Sequence, residues 1–328
     1  NANYNSAPAD APNQGPAHVS KLIWKFVPNS AARLATLTTG TANAIYNPPR
    51  ASFASVKKDY EVLDTITPGR PVALQYNTSR APFNDQRVRQ AFSYSIDRNA
   101  IVKSAFYGSV EPDGNGGLTS GTYDYDPSLR NAYPRDLTKA AELLDAAGWR
   151  RGPDGIRVKD GKPLRLTFTY GKGTIISDEG EVVLQNIQSQ AKEAGFDVVL
   201  TPLNQTDFFS GDYNTKDSYD LTAGYWIGST PAELYVNWRQ DLPQSPNASN
   251  STFYNNPELD HLILAANQSA DPAQRTKLYQ QAQQLISQQA VAVGLYPLDA
   301  VVAVNRTLTG VRLAGRLGSP DFTDARLQ

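Results

Sequence analysis

Cysteine is absent from the 328 residues, and so is methionine. Without a thiol there is no disulfide, no cysteine nucleophile and no cysteine-ligated zinc or iron–sulfur centre. Histidine occurs twice, at His18 and His261. A metal site needs more ligands than one of these and a neighbouring carboxylate supply. Neither sign of charge is in excess: 31 Lys and Arg face 32 Asp and Glu, for a formal net charge of -1. Nucleic-acid binders carry a basic surplus and membrane-surface binders a polybasic run, so both classes are disfavoured. No apolar run approaches the roughly 20 residues needed to span a bilayer. Residues 1–18 lack the basic start and apolar core of a signal peptide.

Catalytic motifs are also missing. There is no GxGxxG, no GKS or GKT, and no GxSxG. Asn115-Gly116-Gly117 is too short a glycine signal to cradle a phosphate. Asp124 and Asp126 could be assembled into a carboxylate pair, but a chain with 32 acidic residues offers many such pairs by chance. His18 lies in a polar N-terminal loop, and His261 reads as the solvent side of a helix.

What is present is a folded, mixed α/β chain. Hydrophobic residues make up 40% and charged residues 19%, a globular composition. The length suits two or three domains. Residues 21–27 (KLIWKFV) alternate and read as a strand. With a helix from Asn29 to Gly40 and a short strand at 43–46, they suggest a β-α-β unit. Strands follow at 60–66 and 72–77, then helices opening at Asp85 and Asp97. Residues 108–134 read as a long surface segment. A helix at 139–147, a hairpin over 150–163 and a strand at 164–170 come next. A helix at 181–194, stopped by Gly195, then feeds a strand at 196–200, the punctuation of an α/β layer. Residues 219–226 read as a buried strand and 227–256 as a long loop. Two amphipathic helices and two strands, at 291–296 and 300–305, close the pattern.

The aromatics give the best hint of a site. The chain has 17 Tyr and 4 Trp, several of them in expected loops or at strand ends. Such rings offer large contact area at low entropy cost. Tyr225-Trp226 ends a strand, and in α/β sheets ligands sit outside the carboxyl ends of strands.

Residues 76–101, YNTSRAPFNDQRVRQAFSYSIDRNAI, resemble the solute-binding proteins of ABC importers, extracellular family 5, which includes the oligopeptide- and dipeptide-binding proteins. The family pattern is N-x-x-x-x-PFxDxRVRxAxxxAIDRxxIV. Asn77, Pro82, Phe83, Asp85, Arg87, Val88, Arg89, Ala91, Ile96, Asp97, Arg98, Ile101 and Val102 stand where it places them. Further stretches follow in the family's order: 26–45, 139–149, YDLTAGYW, YNNPELDHLI, DPAQRTKLYQQAQQLI and VGLYPLDAVVAV. The resemblance covers essentially the whole chain and corresponds to the C-terminal two thirds of the longer family proteins.

The resemblance implies a periplasmic-binding-protein-like type II α/β fold, with two lobes of mixed sheets joined by a two-segment hinge. Lobe one would be residues 1–75 with 297–328, and lobe two residues 76–296, with hinge segments at 74–77 and 295–299. The first lobe would be incomplete, the rest of it lying in a missing N-terminal segment of the same protein. The implied function is that of an ABC importer's substrate-binding component. It would capture a peptide-like or other small polar solute by hinge closure and deliver it to the permease subunits. It would be no enzyme and would need no cofactor or metal. It would work in the periplasm or at the cell surface, as a lipoprotein whose anchor lies upstream of this chain. Trp226 would stack on the ligand and Ser229 would hydrogen-bond it, with Tyr225, Tyr46, Asn47 and Trp238 as further contacts. Arg70 and Arg239 are candidates for an acidic ligand group, each expected as a surface charge. Peptide-binding members place an Asp where Ser229 stands, with Gly228 beside it, so the α-ammonium of a peptide loses its partner. That departure points to a neutral or sugar-like ligand. Asn43 likewise stands where many members have Asp. Three alternatives stay open: oligosaccharide binding on the same fold, a carboxylate-dependent hydrolase, and an interaction module outside transport.

Overall fold

The computed structural model describes residues 9, 13–114, 117–173, 175–239, 249–315 and 317–328. Asn115 and Gly116 of the short glycine signal lie outside the described residues. The two main sheets use β1 (Ala44–Tyr46), β2 (Glu61–Ile66), β3 (Gly69–Tyr76), β4 (Arg165–Gly171), β5 (Asp197–Leu203), β6 (Leu221–Ile227), β7 (Ala292–Tyr296) and β8 (Asp299–Val304). The helices are α1 (Ser30–Thr38), α2 (Phe53–Asp59), α3 (Gln86–Ser95), α4 (Arg98–Ala105), α5 (Leu137–Ala146), α6 (Asp178–Ala194), α7 (Gln205–Ser210), α8 (Glu233–Trp238), α9 (Pro257–Gln268) and α10 (Pro272–Gln288). The chain forms two compact units, Asn1–Thr67 with Leu298–Gln328 and Pro68–Pro297. β3 bonds to strands of the second unit and is part of it.

In the first unit β8 runs antiparallel between β1 and β2, with Val302 opposite both Tyr46 and Leu63. All of Val301, Val302, Ala303 and Val304 are buried, because the pleat sends them to two covered faces. Ala303 packs with Leu37, Ile45 and Val56. Val302 and Val304 pack with Leu308 and Ala325 of the C-terminal tail. α1 is capped by Asn29, whose Oδ1 accepts from the Ala32 N–H at 2.8 Å. Residues 21–27 are not a strand, and the expected β-α-β unit does not form there. Alternation supplies strand propensity only, and a strand needs a ladder neighbour. β1 spends its pairing on an antiparallel partner, β8. Leu22, Ile23, Trp24 and Phe26 are exposed, Phe26 at 97%.

The second unit is built on a five-stranded mixed sheet in the order β7-β3-β6-β4-β5. β7, β3 and β6 pair antiparallel, whereas β6, β4 and β5 pair parallel. A β-α-β crossover is found here, as β4–α6–β5. Gly195 ends α6 in the left-handed region (φ 98°), where glycine pays no Cβ penalty. One sheet face carries Tyr76, Phe168 and Leu221 into an aromatic core: Tyr76 meets Phe83 at 4.7 Å between ring centroids, and Phe92 meets Phe196 at 5.0 Å. Each such ring contributes about 2–3 kcal/mol by burial. The opposite face is smaller and more polar, with Gln75 opposite Thr222 and Ala73 opposite Gly224.

The residues that carry the family resemblance are stitching. The Asp85 and Asp97 side chains cap α3 and α4. Arg89 is buried, and its guanidinium donates to Phe83 O at 2.7 Å and to Gln289 O at 2.8 and 3.0 Å. Arg98 donates to Gly294 O at 2.8 Å and Arg130 O at 2.7 Å. Asn77 Nδ2 donates to Lys216 O and Tyr219 O. Charged side chains here satisfy carbonyls that burial would otherwise orphan.

α8 lies in the stretch expected as loop. Leu234 and Trp238, one helical turn apart, bury it against a cluster that includes Leu118 and, from α9 and α10, Leu259, Ile263 and Ile286. One short turn of periodicity is too little for the helix pattern to stand out.

Candidate functional site

β6 runs from core to surface. Leu221 to Gly224 are buried, Tyr225 is half-buried, and Trp226 is 40% exposed. Trp226 stands opposite Arg70 in the β3–β6 ladder, and Ile227 opposite Gly69. Only glycine fits position 69: φ is +129°, and a Cβ would lie 2.1 Å from Trp226 O and 2.8 Å from Gly228 N. Its backbone is clamped from a second side, the Thr119 N–H donating to Gly69 O at 2.7 Å and the Gly69 N–H to Thr122 Oγ1 at 2.8 Å.

The chain turns after Ile227 through Gly228 and Ser229 into α8. Ser229, Thr230 and Ala232 are exposed. Glu233, the first residue of α8, is only 5% exposed. Its carboxylate lies against the two glycines: a Cβ on Gly228 would come 2.6 Å from Oε2, and one on Gly69 3.0 Å.

Arg70 is 6% exposed, a correction to its expected place as a surface charge. Nη2 reaches Tyr225 O at 3.5 Å, while Nε and Nη1 have no hydrogen-bond partner. Burial lowers its pKa to about 10, against the stabilising pull of Glu233 and of Tyr213. Burial pushes the Glu233 carboxyl up to about 9, although Arg70 opposes the rise. Tyr213, stacked on Phe208 at 4.7 Å, is itself pushed up to about 12 by burial. Two buried ionisable groups that attract each other therefore lie at the strand end that carries an exposed tryptophan. Burying such ions costs on the order of several kcal/mol each unless they are bonded.

Tyr225, Trp226 and Ser229 thus share the end of one strand and the turn after it. Tyr46 and Asn47 belong to the first unit. Tyr46 is exposed, its phenol pKa raised by burial of part of the ring and by Asp299. Asn47 takes a positive φ of 49°, donates its N–H to Val301 O at 2.8 Å, and buries an unpartnered Oδ1. Trp238 is a core residue: at 1% exposure it packs with Leu118, Leu234 and Leu259 and has no surface to offer a ligand. Arg239 is buried as well, its guanidinium 4.4 Å from the Tyr235 ring centroid. His261 is exposed on α9, and His18 Nε2 lies 2.9 Å from Arg326. Among the described residues no group of three or more His, Asp or Glu could hold a metal ion, and no helix is long and apolar enough to cross a membrane. Glu233 and Tyr213 were not anticipated. Pro231, with Leu234 and Trp238 one turn apart, was the available signal for the helix that positions Glu233.

Comparison with known proteins agrees with the fold. The chain is 27% identical over 322 residues to the glutathione-binding protein GsiB of Escherichia coli O1:K1, matching 94% of this chain and 58% of that protein. It is 27% identical over 327 residues to GsiB of Salmonella choleraesuis, matching 96% and 59%. The chain therefore spans somewhat under three fifths of the curated relatives it matches. Among solved structures it resembles NikA from Brucella suis in complex with Fe(III)-EDTA (TM-score 0.77, 20% identity, 92% of this chain and 61% of that one). It also resembles the oligopeptide-binding protein AppA from Bacillus subtilis in complex with a nonapeptide (TM-score 0.74, 22% identity, 92% and 59%). These likenesses establish the two-lobe type II fold. Residues 1–247 match the family model described as bacterial extracellular solute-binding proteins, family 5 Middle. By sequence pattern, fold and family match, the chain belongs to the extracellular solute-binding proteins of family 5.

Proposed function

We propose that this protein is the substrate-binding component of an ABC importer, taking up a peptide-like or other small polar solute outside the cytoplasm and handing it to permease subunits. The observation that carries the reading is Trp226, a large ring left exposed at the carboxyl end of a central strand, where α/β sheets hold ligands. The family is one of binders, and the reading assigns no catalysis to the chain. The two compact units act as the lobes, and the chain passes between them at Thr67–Pro68 and Pro297–Leu298. Bending there couples capture to delivery. The solute shifts the population only by its differential affinity for the loaded form. The relatives named for glutathione and the oligopeptide-binding AppA support a peptide-like cargo. Exposed Trp226 beside the Ser229 hydroxyl supports an oligosaccharide as the second reading.

Titration calorimetry and thermal shift of the full-length protein test this, with glutathione, di- to nonapeptides, oligosaccharides and metal chelates. Saturable binding that raises the unfolding midpoint and leaves the solute chemically intact is expected. Turnover of the solute, or no binding to any class, defeats the reading.

A further inference from the structure

A groove of about 680 Å³ opens on the second unit between the turn before α3, the end of α5 and the tip of the hairpin formed by Arg157–Lys159 and Lys162–Pro163. It shares no lining residue with β6 or the turn that follows it. Trp149, just past the stop of α5 at Gly148, is half-buried along its side. The backbone there is fixed, the Trp149 N–H donating to Leu144 O at 2.9 Å and the Arg157 guanidinium to Trp149 O at 2.7 Å. The indole N–H bonds to no described residue.

The rim is rigid where its charges are already used. Arg87 pairs with Asp85 at 2.6 Å and donates to Ala146 O at 2.6 Å, and Lys159 Nζ donates to Ala147 O at 2.8 Å. Both cations are thus spent on the carbonyls that end α5. Asp160 and Gly161 turn the hairpin at positive φ, 50° and 74°, and set Lys159 opposite Lys162. What stays uncommitted is one group of each kind. The Asp160 carboxylate accepts, the Lys162 ammonium donates, and the Asn84 amide does both; all three residues are exposed, and none of these side chains has a partner among the described residues.

We propose that this groove is a surface site for a neutral sugar ring, separate from the cargo site, with the apolar face of the ring on Trp149 and its hydroxyls on Asn84, Asp160 and Lys162. A pyranose ring combines a C–H face that an aromatic plane covers with edge hydroxyls that each donate and accept. The groove offers the same combination. An anion finds Lys162 uncommitted but meets Asp160 in the same turn, and a cation meets the reverse. A wholly apolar ligand desolvates three polar groups and returns no bond to them. The volume lies within the roughly 300–1,000 Å³ of small-ligand sites. The recognising groups already face solvent, so docking moves nothing out of the interior. A carrier held here by a glycan keeps its β6 end available to cargo.

Calorimetry and tryptophan fluorescence on the full-length protein test this, with short cello-, malto- and N-acetylated chito-oligosaccharides as probes. At least one series should bind saturably. Trp149→Ala should weaken that binding about tenfold, and Trp149→Phe should keep most of it. Asp160→Ala and Lys162→Ala should each weaken it about threefold or more, and Trp226→Ala should leave it unchanged. If Trp149→Ala fails to fold, the two variants at the exposed hairpin tip decide. Binding that Trp226→Ala removes and the groove variants leave intact overturns the proposal and assigns the oligosaccharide to the cargo site. Binding of no oligosaccharide overturns the proposal and leaves the transport of a peptide-like solute untouched.

Discussion

The backbone N–H of Thr67 donates to the carbonyl of Leu298 at 2.8 Å. This bond joins the two places where the chain leaves the first unit. β2 and β8 pair up to it, Ile66 opposite Asp299, and β3 and β7 resume pairing further on, Val72 opposite Tyr296. Between these steps the two-stranded ribbon lacks a continuous ladder, and Pro68 and Pro297 have no N–H to extend it.

Two tryptophans should respond in opposite ways. Trp226→Ala should weaken solute binding about tenfold, the scale of a lost ring contact, with an almost unchanged unfolding midpoint, since the ring is 40% exposed. Trp238→Ala should cost about 3–5 kcal/mol of stability through the cavity it leaves in the α8–α10 core. Calorimetric Kd values and denaturant melts, read on both variants, check the pair.

Glu233 gives a pH signature. Its pKa in the folded protein is about 9, above the ordinary carboxylate value of 4.5. Between those values the native state holds a proton that the unfolded chain has lost. The group's contribution to stability therefore falls as pH rises from about 4.5 to 9. Glu233→Gln should match the native protein below this window and become the more stable of the two toward pH 9. Parallel melting curves for both proteins across pH 5–9 would contradict the assignment.

Arg89→Ala should remove three charge-assisted bonds to the carbonyls of Phe83 and Gln289. Leaving buried carbonyls unpaired should cost about 3 kcal/mol or more, measured as a lower urea midpoint. Arg89→Lys should not restore it, because a point-charge ammonium lacks the planar fork that reaches both carbonyls.

Gly69→Ala should destabilise by about 2 kcal/mol or more. The added methyl meets Trp226 O and Gly228 N, and backbone atoms cannot swing aside as a side chain can. A loss below about 0.5 kcal/mol, the scale of a neutral surface change, would mean the strands separate there more easily than the geometry indicates.

The longer helices and most strands of the two main sheets were legible because each has a local signal. Asp85, Asp97 and Asp271 mark helix starts, Gly195 marks a stop, and the β4–α6–β5 unit follows from both. Residues 21–27 misled because alternation reports propensity, whereas a strand exists only through a neighbour elsewhere in the chain. The end of β6 was found through the Tyr225-Trp226 aromatics. Its charged partners were not, because Arg70 and Glu233 are far apart in sequence and an isolated Arg or Glu reads as solvent-exposed. Trp238 shows the converse: an aromatic in an apparent loop that belongs to the interior.

The second unit is one unbroken stretch of chain, Pro68–Pro297, and its two ends meet in the β3–β7 ladder. Its five-stranded sheet takes no strand from the first unit. The first unit closes its sheet only across that whole stretch, since its central strand β8 follows it in the chain. Closing so long a loop carries a large entropic charge that an already folded second unit greatly reduces. The threading thus makes the inserted body the element that holds together the two ends its host needs.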